Sequence, residues 1–245
     1  MFKCAVATML SDQLEEARSR AEAILSRPGS AQDIRNSVSA VANISLPPSA
    51  KYRHITAETM LVENSVGSNK KEAMASLQKL STALNILEKY GSNLTSPSRP
   101  KYWRTVKHNN PVFRATVDAI HGGRGVLCLY GYTNQQADGL SFPEDVTEPD
   151  VAKVAAVTLE VMSLRTELDM LIKDTHPHPE FFERIIPSLT QKDDDNGLSS
   201  DALVISPSSE KPWERLARRR CLRLSPLSPP PRPPSQQVSS CPTPL

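Results

Sequence analysis

Asn109 and Asn110 stand together between a basic pair, Lys107 and His108, and a proline, Pro111, in the stretch VKHNNPVFRATVDAI. Amide side chains donate and accept hydrogen bonds without carrying charge. An Asn followed by Pro marks a helix start, with Asn110 at the N-cap and Pro111 at the first helical position. The amides of Val112 and Phe113 then point out of the positive end of the helix, where a carboxylate is stabilised. Lys107 adds a cation, and Asn109 offers donors and an acceptor suited to a peptide backbone. That chemistry would suit a carboxylate and a peptide backbone. The alternative reading is a routine cap among scattered surface aromatics, and spacing alone does not choose between them.

Other chemistry-bearing stretches have plainer readings. HGGRG, from His121 to Gly125, follows a helical pattern and lacks the spaced Gly and the Lys-Ser/Thr of a phosphate loop, so it reads as a helix C-cap and tight turn. His176 and His178 in THPHPE are two apart with no matching Cys/His cluster, which reads as an exposed, proline-stiffened helix exit. Cys128 has apolar neighbours and is expected in the core. Cys4, Cys128, Cys221 and Cys241 are scattered singly, without zinc-binding spacing. No metal, cofactor or catalytic residue is expected.

Several elements must position the asparagines. Leu14, Ala17, Ala21, Ile24 and Leu25 share a helix face that stops at Pro28-Gly29, and Ile34, Val38, Val41 and Ile44 share a second, before Pro47-Pro48. SNKKEAM opens a longer helix with the stripe Leu77, Leu80, Leu84 and Leu87, and Gly91 reads as its left-handed C-cap. Tyr90 and Asn93 lie at the end of that helix, and Tyr102 opens the next strand, so the three wall the asparagines if these elements pack together. The longest periodic run, DVAKVAAVTLEVMSLRTELDMLIKD, buries Val151, Val154, Val161, Leu164, Leu168 and Leu171. TEPD before it reads as a capping box with Thr147 at the N-cap and Asp150 three later. Between the long helices, KYWRTVK alternates, and LYGYT and GLSFP flank the turn-like NQQADG, which predicts two or three short strands. The fold class is mainly α with a small antiparallel sheet.

Nine of the twelve aromatic residues fall between Tyr90 and Phe182, whereas ten of the twenty-one prolines fall in the last 41 residues. The first distribution locates a core. The second predicts a disordered tail from about Gln191, since such a segment buries too little apolar surface to offset its ordering entropy. Within it, Arg223-Leu-Ser-Pro226-Leu-Ser-Pro229 fits a loose SH3-binding pattern. With 29 Lys+Arg against 27 Asp+Glu, the balance predicts no non-specific attraction to nucleic acid or membrane. No apolar window approaches the roughly 20 residues of a membrane span, and the start has no basic region leading into a cleavable apolar one. A cytoplasmic location is expected.

The stretches LSTALNILEKYGSNLTSPSRPKYWRTVKHNNPVFRATVDAI, LYGYTNQQADGLSFPEDVTEPD and VTLEVMSLRTELDMLI together resemble the PUB domains of the HOIP type, found in the linear ubiquitin chain assembly complex. The resemblance covers about residues 77 to 176, with weaker similarity through the N-terminal helices. It implies a PUB domain over 71–190, an N-terminal helical extension over 1–70 packed on it, and the tail over 191–245. It also implies a peptide-binding adaptor, with Tyr90, Asn93, Tyr102, Lys107, Asn109, Asn110 and Val112 at the pocket. The implied partners carry PUB-interacting motifs: the deubiquitinase OTULIN, the adaptor that brings the deubiquitinase CYLD, and the tail of valosin-containing protein. The alternative it implies is the N-terminal part of a RING-between-RING E3 ubiquitin ligase acting in linear polyubiquitination and NF-kappaB signalling. The sequence shows none of the Cys/His clusters of such a ligase, and no enzymatic activity is expected.

Overall fold

The computed structural model describes residues 2–27 and 30–191, with side chains from residue 8 onward. The proline-rich tail and its SH3-type pattern, and the Pro28-Gly29 stop, lie outside the described residues. Among the described residues, nine α-helices and one small sheet follow one another: α1 (Phe2–Leu25), α2 (Ala31–Ala42), α3 (Pro48–Lys51), α4 (Ala57–Asn64), α5 (Lys70–Thr95), β1 (Thr105–Lys107), α6 (Pro111–Ala115), α7 (Gly123–Tyr130), β2 (Asn134–Gln136), β3 (Gly139–Ser141), α8 (Val151–Ile172) and α9 (Glu180–Ile185). Short 3-10 turns sit at Val117–Ala119 and Pro187–Leu189. Among the described residues no helix is long and apolar enough to cross a membrane.

Helices α5 and α8 form the centre. Asn69 caps α5 through the Glu72 amide at 2.9 Å, and Glu72 accepts from the Ser68 amide in return, a reciprocal cap that fixes the helix start. Leu77, Leu80, Leu84 and Leu87 are fully buried and pack in one core with Val154, Val157, Val161, Leu164 and Leu168 of α8. Burying a leucine side chain stabilises by about 1.5–3 kcal/mol. Val151, the first position of the predicted stripe, is only half-buried. Helix α8 is covered on a second side too: Ala155, Leu159 and Met162 pack against Leu14, Ala21 and Leu25 of α1 and Val38 and Val41 of α2. The N-terminal helices therefore sit on the same helix that closes the main core.

Three boundaries differ from the sequence expectation. Helix α5 does not end at Gly91 but runs on to Thr95. A Cβ at position 91 would lie 2.0 Å from Thr158 Oγ1 and 2.8 Å from Tyr130 Oη, so the glycine permits close approach of α8 and α7. The N-cap of α8 is Asp150, whose carboxylate accepts from the Lys153 amide at 3.1 Å, and not Thr147. Pro149 disfavours helical geometry at Glu148, which Thr147 as the cap would require. LYGYT is not a strand: Leu129 and Tyr130 finish α7, and Gly131, with φ 113°, turns the chain in the left-handed conformation.

The sheet has strand order β1-β3-β2, antiparallel throughout. NQQ, read as part of the turn, is strand β2, and the turn proper is Ala137-Asp138, since Gln136 pairs with Gly139. KYWR precedes the sheet as a turn, leaving only Thr105–Lys107 in β1.

Candidate functional site

Lys107 ends β1 opposite Gly139. Four residues later the chain starts α6, and Asn110 caps it as expected: its Oδ1 accepts from the Val112 amide at 2.9 Å and the Phe113 amide at 3.4 Å. That geometry corrects the sequence reading in one respect. The two amides assigned to a ligand carboxylate are taken by the cap itself, because Asn ranks among the best N-cap side chains and folds back onto its own helix. Asn110 Nδ2 has no acceptor among the described residues, so what this position presents outward is an amide donor.

Asn109 is exposed and Lys107 is 61% exposed. Val112 is 55% and Tyr102 77% exposed. The Lys101 ammonium lies 5.6 Å from the Tyr102 ring centroid. Phe113 anchors the other face of α6 in the core and stacks on His108 at 5.5 Å, fixing the backbone between them.

Tyr90 and Asn93 are on the last turns of α5, Asn93 exposed and Tyr90 half-buried. The Tyr90 ring meets Tyr132 edge-on at 6.5 Å, and burial raises the Tyr90 phenol above its ordinary value. Tyr132 donates its hydroxyl to the Trp103 carbonyl at 2.7 Å, and Phe142 contacts both Tyr132 and Trp103 edge-on. This aromatic group joins the end of α5 to the Tyr102 turn and so to β1. The seven residues form two sets, Tyr90 with Asn93 and Tyr102 through Val112, linked through Tyr132 and Trp103. Neither linking residue carries a polar-site pattern in sequence, and both were missed. Two surface clefts of about 350 Å³, one lined by Phe142, Val146 and Lys153 and one by Asp118, His121 and Arg124, include none of the seven.

The remaining candidates are placed differently from expectation. Gly122, with φ 84°, opens α7, so HGGRG begins a helix and does not close one; His121 Nδ1 lies 2.8 Å from Glu63 Oε2. Cys128 is exposed, because α7 turns Val126, Leu127 and Tyr130 inward at helical spacing and leaves Cys128 on the other side. His176 is not exposed. Its side chain is 3% accessible, packs edge-on against Phe182, and has Nε2 3.8 Å from Glu167 Oε1. Asp174, with φ 55°, reverses the chain after α8 and folds it back there. Among the described residues no group of three or more His, Cys, Asp or Glu is arranged to hold a metal.

A buried polar cluster beneath α1, α3 and α8 was also invisible in sequence. Lys51 Nζ bonds Glu167 and the Ala42 carbonyl, and Tyr52 donates to the other Glu167 oxygen. Glu160 accepts from the amides of Arg53, His54 and Ile55 at 2.9–3.0 Å, with Arg18 3.9 Å away. Every charge is paired or bonded, as burial requires. The cluster ties the N-terminal helices to α8.

Comparison with known proteins locates the family. Residues 77–156 match the model of the PUB domain. The E3 ubiquitin-protein ligase RNF31 of Mus musculus is 56% identical over 142 residues, and that of Homo sapiens 55% over 149 residues. These alignments cover 58% and 61% of this chain but 13% and 14% of the relatives, so the chain spans a small part of their length. The match begins in α5, takes in the sheet and all seven candidate residues, and ends in α8: the chain carries a PUB domain.

Proposed function

We propose that the chain is a peptide-docking adaptor of the linear ubiquitin machinery, taking acidic motifs with an inserted aromatic side chain. The observation that supports this most directly is the outward display around α6. Lys107, Asn109 and the Asn110 Nδ2 supply a cation and amide donors, beside exposed Tyr102 and Val112 and the half-buried Tyr90. A ligand carboxylate meets Lys107 and the Asn110 amide, and its ring lies against Tyr90, Asn93 and Tyr102. The PUB-interacting motifs of OTULIN, of the adaptor that brings CYLD, and of the tail of valosin-containing protein have this chemistry. A cytoplasmic location belongs to the same reading.

Asn110→Asp isolates the site from the fold. Asp is as good an N-cap as Asn, so α6 keeps its cap, but the outward donor becomes an anion facing the ligand's own. Losing a charge-assisted hydrogen bond costs roughly 1.5–3 kcal/mol, about tenfold or more in Kd. Calorimetry of the full chain with an OTULIN-type peptide measures it directly; unchanged affinity with an unchanged melting temperature refutes the site.

A second reading, the N-terminal part of an E3 ubiquitin ligase, is favoured by what the relatives are called. It predicts that this chain supports ubiquitin transfer only when joined to further domains. Autoubiquitination of the chain alone with an E2 enzyme should be blank under both readings, and activity there would overturn both.

A further inference from the structure

Lys107 is already engaged. Its Nζ lies 3.2 Å from Asp138 Oδ2, and Asp138 sits in the turn between β2 and β3. Nothing about that residue in the sequence marks it as part of the site, since it lies 31 residues downstream of Lys107.

The backbone holds it there. The Asp138 carbonyl accepts from the His108 amide at 2.8 Å, which ties the turn to the residue immediately after Lys107. Gly139, the next residue, pairs directly with Lys107, and β1 comes so close that a Cβ at 139 would lie 2.1 Å from the Val106 carbonyl oxygen. The carboxylate is thus delivered to Lys107 by a clamped hairpin. The pair itself is open to solvent, with side chains 61% and 54% exposed, so an incoming acid can reach the ammonium.

Resting on the docking reading above, we infer that Asp138 is an intramolecular competitor for the ligand carboxylate, a specificity-determining residue that occupies Lys107 until an acidic peptide displaces it. One ion pair is exchanged for another on binding. A peptide carboxylate therefore gains less from Lys107 than the bare cation offers, and selection shifts toward the ring and the asparagine contacts. Removing Asp138 frees the full attraction of Lys107 for acidic peptides and does nothing for neutral ones.

The test uses the full chain and two synthetic peptides, one carrying a single Asp beside a Tyr and one with that Asp replaced by Asn. Asp138→Asn should tighten the acidic peptide about two- to fivefold, the range of an exposed ion pair, and leave the neutral peptide unchanged. In a Lys107→Met background the gain should vanish. A gain that persists without Lys107 means a general field effect and overturns the competitor role, as does no gain at all. Asp138→Ser, which keeps the same backbone carbonyl, gives a second measurement if the Asn change alters the melting temperature. If the peptides bind and Asn110→Asp weakens them while both Asp138 variants do not tighten them, only the competitor role fails. If neither peptide binds the unaltered protein, the docking reading fails and Asp138 with it.

Discussion

Lys51 and Glu167, 116 residues apart in sequence, form an ion pair in which each side chain is 2% exposed. Removing one partner leaves a charge in the interior with fewer bonds than it needs, which costs about 3–5 kcal/mol, whereas replacing both by apolar groups is often close to neutral. Lys51→Met should therefore destabilise severely, and Lys51→Met with Glu167→Leu should recover much of the loss. Urea unfolding of the unaltered protein, of Lys51→Met and Glu167→Leu singly, and of the double variant decides it. A double variant as unstable as the sum of the two single changes would show that the cluster depends on charge.

Glu160 holds the Arg53–Ile55 amides, and Glu160→Gln turns one acceptor oxygen into a donor facing another donor. The expected cost is about 1–3 kcal/mol, concentrated locally. Amide hydrogen exchange at residues 53–55 should accelerate well beyond that of the α5 core. Uniform acceleration across the chain would mean that the segment has no separate stability of its own.

Gly91→Ala sets two effects against each other. In a helix interior alanine is preferred to glycine by about 1 kcal/mol. Overpacking against Thr158 and Tyr130 costs typically 1–3 kcal/mol, and with the Thr158 oxygen 2.0 Å from the new Cβ the clash wins. A lower melting temperature is expected, and a higher one would contradict the close approach of α5 and α8.

Burial raises the phenols of Tyr52, Tyr130 and Tyr132 above their ordinary value of 10.0, and the Glu167 carboxylate raises Tyr52 further. A pKa raised by folding means that the neutral forms contribute stability fully below pH 10, and that this is lost as pH climbs through the folded values. Urea midpoints should be level on the neutral side of pH 10 and fall steeply beyond it. Tyr52→Phe should soften that fall while lowering stability at neutral pH, because its hydroxyl bonds Glu167.

Periodicity reveals α5 and α8 because their leucines and valines recur at helical spacing, and the Asn110 cap because Asn-Pro is a local signal. Two of the errors share one cause, tertiary contacts that outvoted local patterns, while the others are local. Gly91 resembles a helix end but serves a neighbouring helix. LYGYT is a short apolar run, which periodicity cannot assign between strand and helix. His176 reads as exposed until the chain folds back onto Glu167. At the site, the asparagines are legible from type and spacing, while Asp138, Tyr132 and Trp103 reach it only through strand pairing and ring contacts between distant segments.

The ring group behind the site has an optical consequence. Trp103 is one of two tryptophans, and the other, Trp213, lies outside the described residues. Trp103 touches Phe142, carries the Arg99 and Arg104 guanidiniums 5.8 and 5.5 Å from its ring, and shares its carbonyl with Tyr132, which in turn touches Tyr90. Light absorbed by Tyr132 therefore has an indole acceptor on the residue its hydroxyl bonds, next to Tyr102 in the chain. The domain carries its own emission probe, placed where any rearrangement of the wall changes the polarity and charge around it.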